Sequence, residues 1–196
     1  MTVLSTGLSM VLMAAALTVP QAPAAAPAAS GTQVFDVVAT LTPTGAAKGS
    51  ITATVVIELL RFTSEPQRTV MTDALKYSGY PGFLNALRAA PQVGTLDVAG
   101  QTFIIRWARE VPSDTGRTIS IVTDHPVFFA GSNRPGAKST AGYEVAVIQL
   151  VLDKAGHGTG TMAAAARVKP GGETGVRIDS YAENSVALAV TQRAAK

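Results

Sequence analysis

Apolar residues recur with two different periods along this chain, and each period predicts a different kind of element. Segments 33–41 and 50–62 are rich in Val, Ile and Thr, and their polarity nearly alternates. Alternation of this kind is typical of β-strands, whose side chains point to opposite faces in turn. The Pro- and Gly-containing stretch 43–49 between them predicts a turn. The chain is therefore expected to begin its folded part with two adjacent strands.

After the second strand the apolar period becomes helical. Ser64 is followed three residues later by Gln67, which predicts a capping box at a helix N-terminus. Apolar residues then recur at helical spacing until Gly79, so the pattern predicts a helix over 65–78. A second, shorter helix is predicted over 82–90. We expect this helical pair to form an insertion between the second and third strands.

The rest of the chain predicts strands and turns. Strands are expected at 93–99, 101–110, 117–124, 143–153, 158–169, 175–182 and 186–193. In the second of these, Phe103, Ile105 and Trp107 are expected to share one face. The alanine run 163–166 predicts close packing by the helices, with room for a ligand as the alternative.

The order of these elements predicts a fold class. About nine strands with short connections, and only one insertion long enough for a crossover, favour antiparallel pairing. The chain is therefore expected to be α+β and mostly antiparallel β. We expect a curled meander sheet or barrel that carries the two-helix insertion.

The first charged side chain is Asp36, so the preceding thirty-five residues are neutral. Segment 8–19 is an apolar run, and 20–30 is a tract of Ala and Pro. The run suits a secretory signal, which needs about 7 to 15 apolar residues, better than a transmembrane helix, which needs about 20. The pattern predicts a signal peptide over 1–24, a flexible spacer over 25–32 and a single domain over 33–196.

The leader lacks a basic n-region, and an uncleaved membrane anchor or a disordered apolar tail remain alternatives. With cleavage expected within 24–30, the mature protein would have no stable membrane span and would be periplasmic or secreted. Attachment as a lipoprotein requires a Cys, and the chain contains none.

Composition excludes several classes of function. The 16 basic and 13 acidic side chains give a net charge of +3, and the arginines form no run, so no nucleic-acid partner is predicted. Zero Cys excludes disulfides, a thiol nucleophile and Cys-ligated metal. About 165 residues remain after the leader, which is enough for one domain to stand on packing alone.

Reactive side chains are few. The only histidines are His125 and His157, and neither lies at the spacing of a metal site, so no metal is predicted. Asp124 and His125 are adjacent at a strand end, where a regular strand would point them to opposite faces. There is also no G-x-S-x-G motif. We therefore predict no catalytic residues and no cofactor, and a protein that is not an enzyme.

Two groups of residues are candidates for a binding surface. The first lies at the joint between the two predicted helices, and the second decorates the long loop 125–142. The candidate ligand-binding residues are Tyr77, Tyr80, Phe83, Trp107, His125, Phe128, Phe129 and Arg134. If the helical pair lies across one mouth of the sheet beside this loop, an apolar pocket results. The alternative is that the aromatic rings simply plug the sheet.

Several segments resemble a family of uncharacterised exported bacterial proteins. The resembling segments are ELLRFTS (58–64), PQVGTL (91–96), IIRWARE (104–110), IVTDHPVFF (121–129), NRP (133–135) and YEVAVIQLVLD (143–153). The resemblance covers most of the domain, and it departs at His125, where similar sequences have Arg. It implies an exported, single β-rich domain and brings no activity, cofactor or substrate.

The sequence therefore predicts an exported, non-catalytic binding domain. Its partner is expected to be a small apolar ligand held under the helical pair or a protein of the cell envelope. The alternatives are a periplasmic or extracellular hydrolase and a purely structural envelope protein.

Overall fold

The fold was analysed in a computed structural model. It describes residues 31–42, 49–127, 142–171, 176–180 and 186–194. The strands are β1 (Gln33–Leu41), β2 (Ile51–Leu59), β3 (Gly94–Val98), β4 (Gln101–Pro112), β5 (Gly116–Thr123), β6 (Val145–Asp153), β7 (His157–Pro170), β8 (Val176–Ser180) and β9 (Val186–Gln192), and the helix is α1 (Glu65–Ala89). The predicted strands are thus confirmed, with shifts of a few residues at their ends.

The strands close into a barrel. Their order is β6-β5-β4-β3-β2-β1-β9-β7, and a further pairing between β6 and β7 completes a ring of eight antiparallel strands. The ninth strand, β8, pairs antiparallel with β7 beyond the part of β7 that pairs with β9. Of the two predicted architectures, the chain therefore adopts the barrel and not the open curled sheet.

Apolar side chains occupy the barrel interior. In β1, Phe35, Val37 and Ala39 are at most 1% exposed, whereas Val38 on the outer face is 50% exposed. The same alternation on the other strands builds one buried cluster that includes Ile57, Leu59, Leu96, Val98, Ile105, Ile119, Ile121, Ile148, Leu150, Leu152, Met162, Leu188 and Val190. A barrel of eight strands is just wide enough for such side chains to fill.

A polar group lies at the barrel end reached by the β4–β5 turn. There Arg117 Nη1 donates to Glu110 Oε1 over 2.5 Å, and Arg117 Nη2 donates to Gln192 Oε1 over 2.7 Å. All three side chains lie on the strand face that continues the interior rows. The Arg117 and Glu110 charges thus compensate each other at the place where the apolar core ends.

The predicted two-helix insertion is not confirmed. One helix, α1, runs from Glu65 to Ala89 with a kink at Gly79, whose backbone has φ of 64° and ψ of −162°. The predicted start is correct, since the Ser64 backbone N–H donates to Gln67 Oε1 over 3.3 Å. Glycine tolerates the positive φ, and Pro81 fits a new first turn, so the chain bends at one residue without a connecting loop.

Helix α1 packs on the outer wall of the barrel, and the predicted position across a mouth is therefore wrong. Its buried residues Met71, Leu75, Tyr80, Phe83, Leu84 and Leu87 form a second cluster with Val122, Val145, Val147, Ala166 and Val168. Ala163 also packs against this cluster, so the alanine run does admit the helix, as predicted. The outward rows of β5, β6 and β7 are apolar at this place, and burying them against α1 removes both surfaces from water.

The predicted face of Trp107 is also wrong. The register of β4 against β5 shifts between Ile105 and Trp107, which is a β-bulge. Phe103 and Ile105 consequently pack into the barrel interior, whereas Trp107 packs against the helix cluster outside. Strand alternation fails here because the extra residue, Arg106, reverses the faces that follow it.

The predicted signal peptide, 1–24, lies outside the described residues, as does the spacer up to residue 30. Within the ranges that the structure describes, no helix combines the length and the apolar character needed to cross a bilayer.

Candidate functional site

Polar side chains gather at the barrel end where β5 ends and β6 begins. The Thr123 hydroxyl organises this place, because it accepts a hydrogen bond from the Ala146 backbone N–H over 3.0 Å and donates to the His125 carbonyl over 2.6 Å. It thereby ties the last residue of β5 to the first residues of β6 and turns the chain after β5. We call the polar groups on both sides of this contact the β5–β6 rim, comprising Arg106, Asp124 and His125 on one side and Tyr80, Glu144 and Arg167 on the other.

On the first side of the rim, the Asp124 carboxylate lies between the side chains of Arg106 and His125. Arg106 Nε donates to Asp124 Oδ2 over 3.0 Å, and Asp124 Oδ1 lies 2.9 Å from His125 Nδ1. Arg106 Nη1 also donates to the Ala90 carbonyl at the end of α1 over 2.9 Å. The bulge at Arg106 aims this guanidinium at the helix end and at Asp124 together. The carboxylate is thus positioned from β4 and α1 as well as from its own strand.

The expectation that Asp124 and His125 could not pair is wrong. It rested on strand alternation, but β5 ends at Thr123, so both residues lie beyond the regular strand. Their environments differ, since the Asp124 side chain is 7% exposed and that of His125 is 67% exposed. Asp124 is therefore a buried support for the exposed His125 ring.

This arrangement orients an exposed imidazole. A carboxylate that accepts from Nδ1 places the proton there and leaves Nε2 as a hydrogen-bond acceptor towards solvent. His125 can therefore accept a proton or a hydrogen bond from a partner at a defined position. Within the described ranges, the side-chain hydrogen bond of this ring is to Asp124.

On the second side of the rim, Tyr80 follows the kink of α1 and is buried. The Glu144 backbone N–H donates to the Tyr80 hydroxyl over 3.1 Å, and this hydroxyl lies 3.5 Å from the Ala166 carbonyl, to which it donates. Its ring stacks with that of Phe83 at a centroid distance of 6.3 Å. Burial raises the pKa of Tyr80 to about 12, and the Glu144 carboxylate acts in the same direction. The hydroxyl therefore stays protonated and joins α1, β6 and β7.

Glu144 and Arg167 lie around Tyr80 without pairing with each other. Glu144 Oε1 accepts from the Gly142 backbone N–H over 3.0 Å, and the Arg167 guanidinium carbon lies 5.5 Å from the Tyr80 ring centroid. Glu144 Oε2 and Arg167 Nε are buried, and neither has a hydrogen-bond partner within the described part of the chain. A buried polar atom without a partner costs about 1–3 kcal/mol. Among the described residues, the rim therefore contains two buried polar atoms whose hydrogen-bonding capacity is not met.

Sequence reasoning missed Glu144 and Arg167. Neither residue belongs to the candidate ligand-binding set that the sequence predicts. A signal was present, because Glu144 directly precedes the most apolar strand and Arg167 directly follows the alanine run. In an antiparallel pair of strands, a charge that precedes the buried part of one strand and a charge that follows the buried part of the other are expected at the same end of the sheet.

The structure brings together only some of the predicted site residues. Tyr80, Phe83 and Trp107 belong to the contact between α1 and the barrel, where they act as packing residues. Tyr77 is 75% exposed and does not pack with them. His125 lies on the rim. Phe128, Phe129 and Arg134 lie outside the described residues.

Metal binding is not supported by the arrangement. Within the described ranges, no three His, Asp or Glu side chains are grouped closely enough to hold a metal ion.

Removing the Tyr80 hydroxyl is expected to change how stability depends on pH. A tyrosine whose pKa rises from 10.0 to about 12 on folding stabilises the folded state fully below pH 10, and this contribution is lost as the pH rises towards 12. The wild type should therefore lose about 2 kcal/mol more stability than Tyr80→Phe across this interval. Urea unfolding at several pH values measures the difference.

Tyr77→Phe is the matched control, because this exposed side chain should leave the pH profile as it is in the wild type. Parallel profiles for the wild type and Tyr80→Phe would contradict the burial of the Tyr80 hydroxyl.

With this geometry in hand, the fold and its site define a class: a small antiparallel β-barrel with a filled interior and a polar rim. The chain matches no protein family model, no curated protein and no solved structure.

Proposed function

We propose that this chain is an exported, non-catalytic binding domain that recognises a protein partner of the cell envelope through the β5–β6 rim. The observation that carries the proposal is the exposed His125 ring held on a buried Asp124. A side chain fixed in advance loses little conformational freedom when it binds, so it favours recognition at that point.

The packing of the barrel interior favours a protein partner at the rim over a small apolar ligand inside the barrel. Ligand sites need a concave apolar space, but the inner face of this barrel is occupied by its own side chains, from Phe35 to Ile148 and Leu188. The aromatic residues expected to line a pocket, Tyr80 and Phe83, are buried between α1 and the wall instead.

Photocrosslinking in the native-like host tests this proposal. A photoreactive aromatic residue introduced in place of the exposed Ala89, next to the Ala90 carbonyl that accepts from Arg106, keeps His125 in place and is expected to trap a defined envelope protein. The matched control carries the same residue in place of Val151, which is 53% exposed on the outer wall and distant from the rim in the β6 register. Equal crosslinking from both positions, or none from the Ala89 position, would contradict recognition at the rim.

A hydrolase is the second candidate, and the hydrogen bond between His125 and Asp124 is the observation that favours it. A His oriented by a carboxylate can act as a general base towards water. Asp124→Asn would then disturb the tautomer of His125 and lower the rate of hydrolysis of ester or amide substrates about a hundredfold or more. Turnover that disappears in this variant would favour the hydrolase and count against a purely binding role.

Export is the other part of the proposal, and it is supported by the neutral, apolar leader. We expect protein purified from a native-like host to begin between Ala25 and Ser30, as measured by intact mass. Recovery of the uncut chain from the membrane fraction would overturn export and release.

A further inference from the structure

The closed ring leaves β8 (Val176–Ser180) as an edge strand. One edge of β7 is shared, because its first part pairs with β9 and its last part, from Ala166 to Pro170, pairs with β8. Within the ranges that the structure describes, no strand pairs with the other edge of β8. An edge strand presents backbone N–H and C=O groups that can pair with another chain.

The sequence of β8 gives its two faces different characters. Ile178 lies opposite Val168, whose side chain belongs to the cluster under α1, yet Ile178 itself is 49% exposed. Arg177 and Asp179 point to the other face, and the Arg177 side chain is exposed. Asp179 also accepts from Lys169 over 2.5 Å, so its carboxylate is charged and fixed. The strand therefore reads basic, apolar, acidic over three consecutive positions.

We infer that β8 pairs antiparallel with β8 of a second copy of this chain, centred on Ile178. In this register Arg177 of each copy lies directly opposite Asp179 of the other, and the two Ile178 side chains face each other. Oppositely charged residues opposite each other on a sheet are stabilising, and like charges are destabilising. The pairing is two-fold symmetric and buries the exposed part of Ile178 beside the α1 cluster.

Charge complementarity selects this register and favours a second copy as the occupant. A register centred on Arg177 would place two arginines opposite each other, and one centred on Asp179 would place two carboxylates opposite each other. Only the register centred on Ile178 pairs both charges with their opposites. The strand has five residues and makes a small contact. The dimer is therefore expected to be weak, with a dissociation constant on the order of micromolar or higher.

A charge-swap experiment tests the register. The wild-type chain without its leader is expected to show a concentration-dependent dimer in sedimentation velocity. Arg177→Asp should be monomeric because each copy then places a carboxylate at position 177 opposite Asp179 of the other copy. Asp179→Arg should be monomeric for the converse reason. An equimolar mixture of the two variants is expected to recover the dimer, since each copy then supplies the charge that the other needs.

The mixture also shows that both variants are folded, because unfolded chains would not restore the dimer. Val151→Asp serves as the control on the outer wall and should dimerise as the wild type does. A wild type that stays monomeric at about 1 mM would overturn the inference, as would dimeric Arg177→Asp or a mixture that remains monomeric. If the wild type is monomeric and an extended segment of another protein protects the β8 amides from exchange, the occupant is that partner and the inference is wrong.

Discussion

Replacing Phe35 with alanine is expected to destabilise the fold by about 3–5 kcal/mol. Phe35 is fully buried and belongs to the cluster that fills the barrel. Its removal takes away apolar burial and leaves a cavity that the hydrogen-bonded ring of strands cannot close by collapsing. Urea unfolding, with the free energy extrapolated to water, measures the loss.

Val38→Ala is the matched control, because Val38 lies three residues away on the same strand but is 50% exposed on the outer face. We expect it to change stability by no more than about 0.5 kcal/mol. A loss below about 1 kcal/mol for Phe35→Ala would indicate spare volume in the barrel. That result would revive the small apolar ligand as the partner, so the stability measurement also bears on function.

Replacing Arg106 with methionine is expected to cost about 2–4 kcal/mol, because the buried Asp124 carboxylate then loses its guanidinium partner and keeps only the His125 imidazole. The Asp124 side chain is 7% exposed, and Arg106 Nε is its partner at 3.0 Å. The substitution also removes the hydrogen bond from Arg106 to the Ala90 carbonyl at the end of α1. Methionine keeps much of the apolar stem, so the loss reports on the charge and its hydrogen bonds.

A double-mutant cycle separates the contributions. Adding Asp124→Asn to Arg106→Met removes the buried carboxylate charge and should recover part of the loss. Arg193→Met is the control at an exposed ion pair, where Arg193 and Asp36 lie on the surface. It is expected to leave stability nearly unchanged, since exposed pairs are screened by water and salt. Equal losses for Arg106→Met and Arg193→Met would mean that Asp124 is not a buried support.

The two stability predictions concern different parts of the molecule, the apolar barrel interior and the charged β5–β6 rim. The barrel interior stabilises the fold through apolar packing, whereas the β5–β6 rim contains charges that the fold has buried only in part. Asp124 is paired and supports an exposed His125, but buried atoms of Glu144 and Arg167 have no partner among the described residues. Buried polar atoms without a partner cost stability, so the packed interior and these rim atoms act on the stability of the fold in opposite directions.

Local pattern was sufficient for most of the secondary structure. The period-2 alternation of β1 predicted its boundaries, because alternating polarity is a property of residues that are close in sequence. The helix start at Ser64 was predictable for a similar reason, since a cap depends on residues that are close in sequence. These predictions needed no knowledge of distant contacts.

The errors occurred where distant contacts decide the outcome. A bulge at Arg106 reversed the face of Trp107, and the end of β5 at Thr123 let Asp124 turn towards His125. Neither event leaves a local signature, because a bulge or a strand end depends on what the neighbouring strand offers for pairing. Of the residues of the rim, the sequence therefore predicted only His125 and Tyr80. It did not predict the role of either residue.

By itself, the sequence determined a β-rich domain with a helical segment between the second and third strands, few reactive groups and thirty-five neutral residues before Asp36. Those properties follow from composition and short-range periodicity, which are already present in the unfolded chain. Only the tertiary structure decided that the sheet closes, that α1 covers the outer wall instead of a mouth, and that Arg106, Asp124 and His125 meet. The physical reason is that ring closure and strand register are set by the cooperative pairing of strands far apart in sequence. The charges at β5, β6 and β7 become one rim only after that closure.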